Sequence, residues 1–468
     1  MNANDRAITG FAMAGHAMVH TYELAVPILL TVWLAEFSAT SATLGSVVAV
    51  GYGLFGVGAL PAGVLVDRFG SRRLIVACLF GMGTAFVLLG LLPGVAGIAV
   101  ALAVWGLAAS VYHPAGLTLI SKGADQRGAA FAYHGMAANV GIAGGPFVTA
   151  LLLVVVEWRL AVVVLAVPAF VAGLVGLTVE FDETAAVDKT EATDADRVAG
   201  DGGDDDDSSD DSSTADNDDS STADNDDHSD DSSTVDNDDS SDDSDATAPA
   251  IDSLAGFVTA SRGLFTAGFA TVFVLVLFNG LYYRGMVTFL PGLLSDFLDP
   301  LLTVDPAAAI GPIADTPAAR EFDLSQYLYA GLLAVGIGGQ YVGGRLTDAV
   351  EPERGLAVML TALVVIALLF VPAAGSLSTL LAVSAALGFG LFGLQPLSQA
   401  TIAKYSPPAY RGLSFGFTYL AIFGIGALGA SLAGAALTYG SQTTLFVMLA
   451  GFEMAALGLA LWLIVRAR

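Results

Sequence analysis

The chain is organised as long apolar runs separated by short stretches of charged, proline or glycine residues. Runs such as VVAVGYGLFGVGALPAGVLV and LAVMLTALVVIALLFVPAAG match the roughly 20 apolar residues with which a helix crosses a bilayer. Backbone polar groups find no water in hydrocarbon, so runs of this length indicate helices, whereas barrel strands would give alternating segments of about ten residues. The pattern predicts an all-α membrane protein.

The breaks between these runs divide the chain into twelve predicted transmembrane spans. Their approximate bounds are 8–35, 42–66, 73–93, 97–119, 127–155, 160–179, 264–293, 325–347, 355–374, 377–400, 411–438 and 442–465. The N-terminal MNANDRAITG has no small-residue cleavage site behind a short apolar core, so we expect the first span to be retained. The composition also indicates a membrane protein, because 13% of the residues are charged, against about 25% in a soluble domain.

The basic residues are distributed unevenly between the two sides of the predicted bundle. If the N-terminus is cytoplasmic, 15 of the 18 lysines and arginines fall in cytoplasmic segments, and only Arg159, Arg284 and Arg320 do not. Cytoplasmic loops of membrane proteins carry such an excess of lysine and arginine. We therefore expect a multi-pass protein of the cell membrane with both termini in the cytoplasm.

The net charge of −27 arises in one segment between the sixth and seventh predicted spans. Residues 180–252 contain 29 acidic and two basic residues, with near-repeats such as SSTADNDD. This composition offers nothing that could form a core, and its like charges repel, so residues 180–256 are expected to form a disordered, solvated linker. The spacing and glycine of a calcium-binding loop are absent from it. An excess of aspartate with only three lysines also suggests a halophilic source.

Three short patterns occur once before and once after the acidic segment. GVLVD (63–67) shares its Gly-x-Leu-x-Asp spacing with GRLTD (344–348), and PAGLTLISK (114–122) aligns with PLSQATIAK (396–404). In the predicted first and seventh spans, Tyr22-Glu23 aligns with Tyr283-Arg284. Matched patterns in the same order predict two homologous six-helix halves.

The repeat divides the chain into an N-terminal half at 1–179, the acidic linker at 180–256 and a C-terminal half at 257–468. In transporters built from parallel repeats, the substrate site lies between the halves near the bilayer midplane, and the halves rock against each other. This organisation predicts a site at the interface of the two halves.

The stretch GVLVDRFGSRR (63–73) resembles the loop signature between helices two and three of the major facilitator superfamily, with Ser71 in place of one basic residue. The resemblance implies twelve helices in two pseudo-symmetric halves and a charged latch that holds the halves together in one state. The gating residues that it implies are Gly63, Asp67, Arg68, Gly70 and Arg72, with Asp348 in the second half. In the second half, VEPERG (350–355) stands in place of the basic part of the signature, so a weaker latch is expected in that half.

The fifth predicted span resembles the Gly-Pro signature of drug/proton antiporters through Gly141, Gly145 and Pro146. Histidine-proline at 113–114, together with histidine in the first span, resembles efflux carriers of the fosmidomycin-resistance type. These resemblances imply proton-coupled export. Small residues also let helices pack closely and proline kinks them, so the same residues are explained by helix packing alone.

His16, His20 and Glu23 stand at i, i+4 and i+7 of the first predicted span and therefore share one helix face. Ionisable groups are costly in hydrocarbon and tend to face a cavity or a partner, and imidazole exchanges protons near neutral pH. The repeat places Arg284 opposite Glu23, so we expect the two to face one cavity. The alternative is an ion pair that only holds two spans together.

Several other polar residues are predicted to contribute to the substrate and proton pathway. They are Tyr22, Tyr283, His113, His134, Asn139, Gln340 and Gln395. Each is alternatively a polar group used in helix packing. Glu453 in the last span is expected to be peripheral.

The sequence lacks the glycine-rich phosphate loop and the His-Glu-x-x-His pattern of enzymes. With Cys78 as the only cysteine, it also offers no multi-cysteine metal site. We therefore expect a non-enzymatic secondary transporter, with proton- or sodium-coupled uptake and a non-transporting membrane sensor as alternatives. The expected partners are a small-molecule substrate, a coupling proton and the lipid bilayer, without nucleic acid, cofactor or metal, and the expected state is a monomer.

Overall fold

The computed structural model describes residues 1–187, 254–302, 323–407 and 410–466, and within these ranges all regular elements are helical. The first six spans, numbered in chain order, are Ala3–Glu36, Ser41–Phe69, Ser71–Leu91, Gly94–Gly123, Arg127–Val155 and Trp158–Thr178. A short helix, Leu254–Leu264, spans the predicted boundary between linker and second half and precedes span seven. Spans seven to twelve are Ala267–Leu298, Leu324–Ala349, Pro352–Ala373, Leu377–Tyr405, 411–439 and Gln442–Arg466. The predicted all-α architecture is confirmed.

Two spans are interrupted beside the centre of the bundle. Span four consists of Gly94–Ala109 and Tyr112–Gly123, and the break lies at residues 110–111. Span eleven changes from α-helix (Arg411–Tyr419) to a π-helical segment (Leu420–Ile425) before Leu428–Tyr439. Such π segments leave the regular hydrogen-bond ladder and recur at functional sites.

Span eight differs from the other spans in its composition. Eleven helical segments of the described residues are long and apolar enough to cross a bilayer, and Leu324–Ala349 is not among them. Its 26 residues include Gln326, Gln340, Arg345 and Asp348. The helix nevertheless packs closely against its neighbours, since a Cβ on Gly343 would lie 2.1 Å from the Gly393 carbonyl oxygen of span ten. Packing against protein, and not hydropathy alone, therefore accounts for its place in the bundle.

The two halves meet along spans two and eleven, where glycines permit close backbone approach. A Cβ on Gly45 would lie 2.5 Å from the carbonyl oxygen of Ala430, and a Cβ on Gly56 would lie 2.0 Å from the Gly424 nitrogen. At the end opposite the chain termini, the Ala42 amide donates a 2.9 Å hydrogen bond to Thr438 Oγ1. This end of the interface is therefore closed.

The halves diverge towards the end that carries the chain termini. Gly63 is seven residues, about two helical turns, after Gly56 and therefore lies on the same face of span two. No atom of the described residues would come within 4 Å of a Cβ on Gly63, whereas a Cβ on Gly56 would clash with span eleven. Spans two and eleven are thus in contact towards the end opposite the termini and are separated beside Gly63, nearer the end with the termini.

The predicted linker, 180–256, lies mostly outside the described residues. Within its described beginning, Glu183 binds the first turn of span three, because the Ser71 amide donates to Glu183 Oε2 at 2.8 Å. A carboxylate is favourable at a helix N-terminus, where amide groups are unpaired. The beginning of the acidic segment is thereby attached to the N-terminal half.

Candidate functional site

The polar face of span one lies at the centre of the bundle. His16 and Glu23 are buried, and the His20 side chain has 13% of its surface exposed. Span five packs directly behind this face, because a Cβ on Gly141 would lie 2.3 Å from the carbonyl oxygen of Ala17 and a Cβ on Gly145 would lie 2.6 Å from Thr21 Cα. Pro146 follows in the same helix and is buried. The glycines therefore bring the backbone of span five close to His16, His20 and Glu23, which together are called the histidine column.

Short contacts between polar atoms join the three residues of the column in sequence. His20 Nδ1 lies 2.6 Å from Glu23 Oε2, and His20 Nε2 lies 3.2 Å from His16 Nε2. His16 Nδ1 in turn lies 2.8 Å from the backbone oxygen of His134 in span five. The predicted column is thus a continuous chain of contacts from span five to Glu23.

These contacts determine which nitrogens carry hydrogen. A backbone carbonyl and an ionised carboxylate only accept hydrogen bonds, so Nδ1 is the donor on both His16 and His20. A neutral imidazole then has its lone pair on Nε2. The two Nε2 atoms that face each other are therefore both electron-pair donors unless a cation or proton lies between them.

His113 and His134 complete a group of four imidazoles. The His134 ring stacks on His16 at a centroid distance of 3.8 Å, and the His113 ring stands edge-on to His16 at 5.2 Å. Tyr112 hydroxyl donates to the Ala12 carbonyl and lies 3.2 Å from His134 Nε2. The structure thus brings together all four histidines predicted from the sequence.

Glu23 and Arg284 form an ion pair between the two halves. Arg284 Nη2 donates to Glu23 Oε1, and the Arg284 and Glu23 side chains have 0% and 2% of their surface exposed. The guanidinium carbon lies 3.9 Å from the ring centroid of Tyr52, whose hydroxyl donates to the Glu23 backbone oxygen at 2.8 Å. The pair predicted from the repeat is present, enclosed by aromatic rings.

Arg284 retains hydrogen-bonding capacity beyond this pair. Its Nε and Nη1 are buried and have no hydrogen-bond partner among the described residues. Tyr283 and Phe423 lie 5.4 and 5.3 Å from the guanidinium carbon, measured to their ring centroids. Guanidinium N–H groups match the oxygens of carboxylates and phosphates. The free groups therefore suit an anionic or polar solute.

A second polar group connects the halves through spans five, eight and ten. Asn139 donates to Gln340 Oε1 at 2.7 Å, and Gln340 Nε2 lies 3.5 Å from Gln395 Oε1. All three residues were predicted from the sequence. The structure brings them together as a chain of amides across the interface.

The structure does not bring Tyr22 to this site. Its hydroxyl donates to the Leu165 carbonyl at 2.8 Å, and its ring packs against Phe86 at 4.2 Å. Tyr22 thus faces the packing of span one against spans three and six. The repeat-related Tyr283, by contrast, adjoins Arg284.

Two residues of the implied latch make their contacts within the N-terminal half. Asp67, 72% exposed, lies 3.5 Å from Lys122. Arg72 Nε and Nη2 donate to the carbonyls of Gly176 and Leu177 at 2.9 Å and hold span six to span three. Within the part of the chain that the structure describes, Asp67 makes no ion pair across the interface, which agrees with the space beside Gly63.

The remaining loop residues have local roles in this conformation. Arg68 lies over the ring of Phe69 at 5.4 Å, and Gly70, with φ at +80°, links spans two and three in a backbone conformation that favours glycine. In the second half, Asp348 is exposed. Lys404 there pairs with Glu351 and Glu353 and lowers the pKa of Glu351 by donating a hydrogen bond.

The aromatic enclosure was not predicted from the sequence. Its members are Tyr52, Tyr112, Tyr329, Tyr419 and Phe423. They come from spans two, four, eight and eleven and share no spacing with the column. The glycines at 424 and 426 were the available signal for an irregular segment in span eleven.

One subset of the cluster has the donor atoms to hold a metal ion. Ligand nitrogens of His16, His20 and His113 all lie within 4.8 Å of one another. Imidazole nitrogen is a ligand for zinc and other transition metals.

Comparison with known proteins gives a family and a fold. The profile of the Major Facilitator Superfamily matches residues 9–314 and 303–468. No curated protein sequence matches the chain at a significant level. Among solved structures, a mutant of the nucleoside transporter NupG has a TM-score of 0.66 at 11% identity, over 97% of this chain and 99% of NupG.

Two further solved structures have the same fold. A bacterial homolog of the human lysosomal transporter Spinster, inward-facing and occupied, has a TM-score of 0.62 at 13% identity, with 99% and 97% of the two chains covered. The peptide transporter POT in complex with sulfate has a TM-score of 0.63 at 16% identity, with 99% and 94% covered. The profile match over nearly the whole sequence shows that the chain belongs to the major facilitator superfamily of transporters.

Proposed function

We propose that the protein is a secondary active transporter that exports a small solute across the cell membrane in exchange for protons. The observation that carries this proposal is the buried Glu23–Arg284 pair, which joins the two halves at a level where spans two and eleven are in contact, whereas these spans separate beside Gly63. A cavity that alternately faces each side requires the halves to move relative to each other. Charged groups that bridge them are therefore placed to link ligand binding to this movement.

The charges of the ion pair explain how a proton takes part in the transport cycle. Glu23 accepts hydrogen bonds from Arg284 and from His20. Separation of the halves would leave each charge in a low-dielectric interior without its partner, which is costly. A proton on Glu23 and an anionic or polar solute on Arg284 would replace the lost partners. Proton binding and substrate binding are then linked through one ion pair.

The direction of transport rests on topology and on the span-five resemblance. With both termini in the cytoplasm, as the basic residues favour, the end at which spans two and eleven separate faces the cytoplasm and accepts a solute for export. The Gly-Pro pattern of span five resembles antiporters. Because the free N–H groups of Arg284 suit an anion, coupled uptake of a small polar or anionic metabolite is the second candidate.

The remaining features fit a single transporting chain. We propose that the acidic segment at 180–256 is a solvated spacer between the halves at 1–179 and 257–468, suited to a salt-rich cytoplasm. We propose that the protein acts as a monomer. A sensor function would leave the bridging ion pair and the separation of spans two and eleven unexplained.

Proton movement in proteoliposomes tests the proposal. The purified chain is reconstituted with an internal pH dye, and a panel of small carboxylates, phosphonates, nucleosides and cationic drugs is added under an imposed pH gradient. At least one compound should accelerate proton movement in carrier-containing vesicles and not in empty ones. If labelled compounds cross without proton movement, transport is uncoupled and the antiport proposal is wrong; if only sodium supports their accumulation, coupled uptake replaces it.

A further inference from the structure

We propose that His16, His20 and His113 form a binding site for one divalent transition-metal ion of the zinc type. This inference concerns metal binding alone and does not depend on the transport proposal. Three ligand nitrogens within 4.8 Å of one another come from two spans of the same half. The site therefore does not require the two halves to be in one particular arrangement.

The first argument is the orientation of two lone pairs. His16 and His20 each donate from Nδ1, so both Nε2 atoms are electron-pair donors. They face each other at 3.2 Å. Two nitrogen ligands about 2.05 Å from a tetrahedral zinc ion lie about 3.3 Å apart. The pair thus has nearly the separation that a shared zinc ion requires.

The second argument is the set of groups behind the ligands. Histidines that bind metals usually donate their other N–H to a carboxylate or a backbone carbonyl, which fixes the ring and raises its basicity. His20 has the Glu23 carboxylate at 2.6 Å, and His16 has the His134 carbonyl at 2.8 Å. Both kinds of support are present, one on each ligand.

His113 provides the third nitrogen. It lies in the first turn of Tyr112–Gly123, immediately after the break in span four, and its ring stands 5.7 Å from His20. Its ring nitrogens are not engaged in the contacts that fix His16 and His20, so either one, in the matching tautomer, can bind a metal. A side-chain movement of about 1.5 Å brings a nitrogen within 4.8 Å to the tetrahedral separation.

The environment selects the kind of ion. Three neutral imidazoles suit zinc, cobalt, nickel and copper, whereas magnesium and calcium prefer oxygen ligands. Glu23, in contact with His20, places a negative charge beside the ion. Three histidines leave a fourth tetrahedral position for water or an anion.

Cobalt absorption tests the site in the full-length protein. Tetrahedral cobalt bound to nitrogen absorbs visible light far more strongly than octahedral cobalt on carboxylates, so the signal separates this site from the acidic segment. The chelator-treated protein in detergent is titrated with Co²⁺ in excess Mg²⁺, which occupies carboxylates. We expect about one tetrahedral Co²⁺ per chain, displaced by Zn²⁺. His113→Gln and His20→Gln should each weaken binding at least tenfold.

Two controls make the result specific. His228→Asn removes the one histidine of the acidic segment, and Glu157→Gln removes a carboxylate of an exposed loop. Both should bind Co²⁺ within about threefold of the wild type. The proposal is wrong if no tetrahedral signal forms in correctly folded protein, or if the signal survives His113→Gln and His20→Gln unchanged.

Discussion

Glu23 of span one and Arg284 of span seven touch in the middle of the bundle, although 261 positions of sequence separate them. Both side chains have 2% or less of their surface exposed, and the Tyr52 ring lies against the guanidinium. The internal repeat aligns these same two positions. The ion pair is therefore a contact between positions that the repeat makes equivalent, at the interface where such halves rock against each other.

The stability of the protein should depend on keeping both members of this pair. Glu23→Gln leaves the Arg284 charge buried, and Arg284→Met leaves Glu23 with His20 alone, so each change should cost about 3–5 kcal/mol. The double variant should cost less than the sum, since it leaves no uncompensated charge. Chemical unfolding in detergent measures the three values.

An ion pair on the protein surface provides the comparison for these two single variants and their double variant. Arg159 and Glu36 lie 3.2 Å apart and are 29% and 37% exposed, so Arg159→Met should cost less than about 1 kcal/mol. Additive losses in the Glu23 and Arg284 variants would mean that the two side chains do not interact energetically, and the proposed bridge would be wrong.

Span five should tolerate alanine at Gly144 and not at Gly141. A Cβ on Gly141 would lie 2.3 Å from the Ala17 carbonyl oxygen, whereas a Cβ on Gly144 would have open space. Both changes give the same gain in helix propensity, so their difference isolates the contact with span one. We expect Gly141→Ala to be less stable than Gly144→Ala by about 1–3 kcal/mol in thermal unfolding. Equal stability would show that span five does not approach the histidine column as described.

Asp67 should influence transport more than stability. In the present conformation it lies beside Lys122 and is largely exposed, so Asp67→Asn should change the unfolding free energy by less than about 1 kcal/mol. The latch implied by the family would form only when spans two and eleven meet beside Gly63, and its loss should slow exchange of a transported compound across vesicles. Asp348→Asn, at the repeat-related position, is the matched variant and should have the smaller effect. A large loss of stability with normal exchange would contradict a gating role for Asp67.

The sequence predicted the parts of the site that are local or repeated. His16, His20 and Glu23 share a face because helical geometry fixes which residues align, and Arg284 was found through the repeat. Tyr22 takes part in the same repeat as Glu23, but it lies one residue before Glu23. One residue turns a side chain by about 100° around the helix, so Tyr22 faces spans three and six. Adjacency in the sequence is therefore a poor guide to adjacency in a helical bundle.

The enclosure of the ion pair could not be predicted in the same way. Tyr52, Tyr329 and Phe423 come from three spans, and their convergence depends on helix packing and on the π segment of span eleven. Span eight was predicted at 325–347, but its composition alone does not explain why so polar a helix lies in the bundle, since a helix packed against other helices can carry polar residues that lipid would not accept. Both features depend on tertiary contacts that a single sequence does not record.

The most direct test of the central claim is substrate-driven proton movement by Glu23→Gln in proteoliposomes, with Glu157→Gln as the matched control on an exposed loop. A compound that moves protons through the wild-type carrier should move none through Glu23→Gln, while binding of the compound persists and Glu157→Gln behaves as the wild type. Undiminished, compound-dependent proton movement in Glu23→Gln would contradict the account, because the ion pair between the halves would then be structural only.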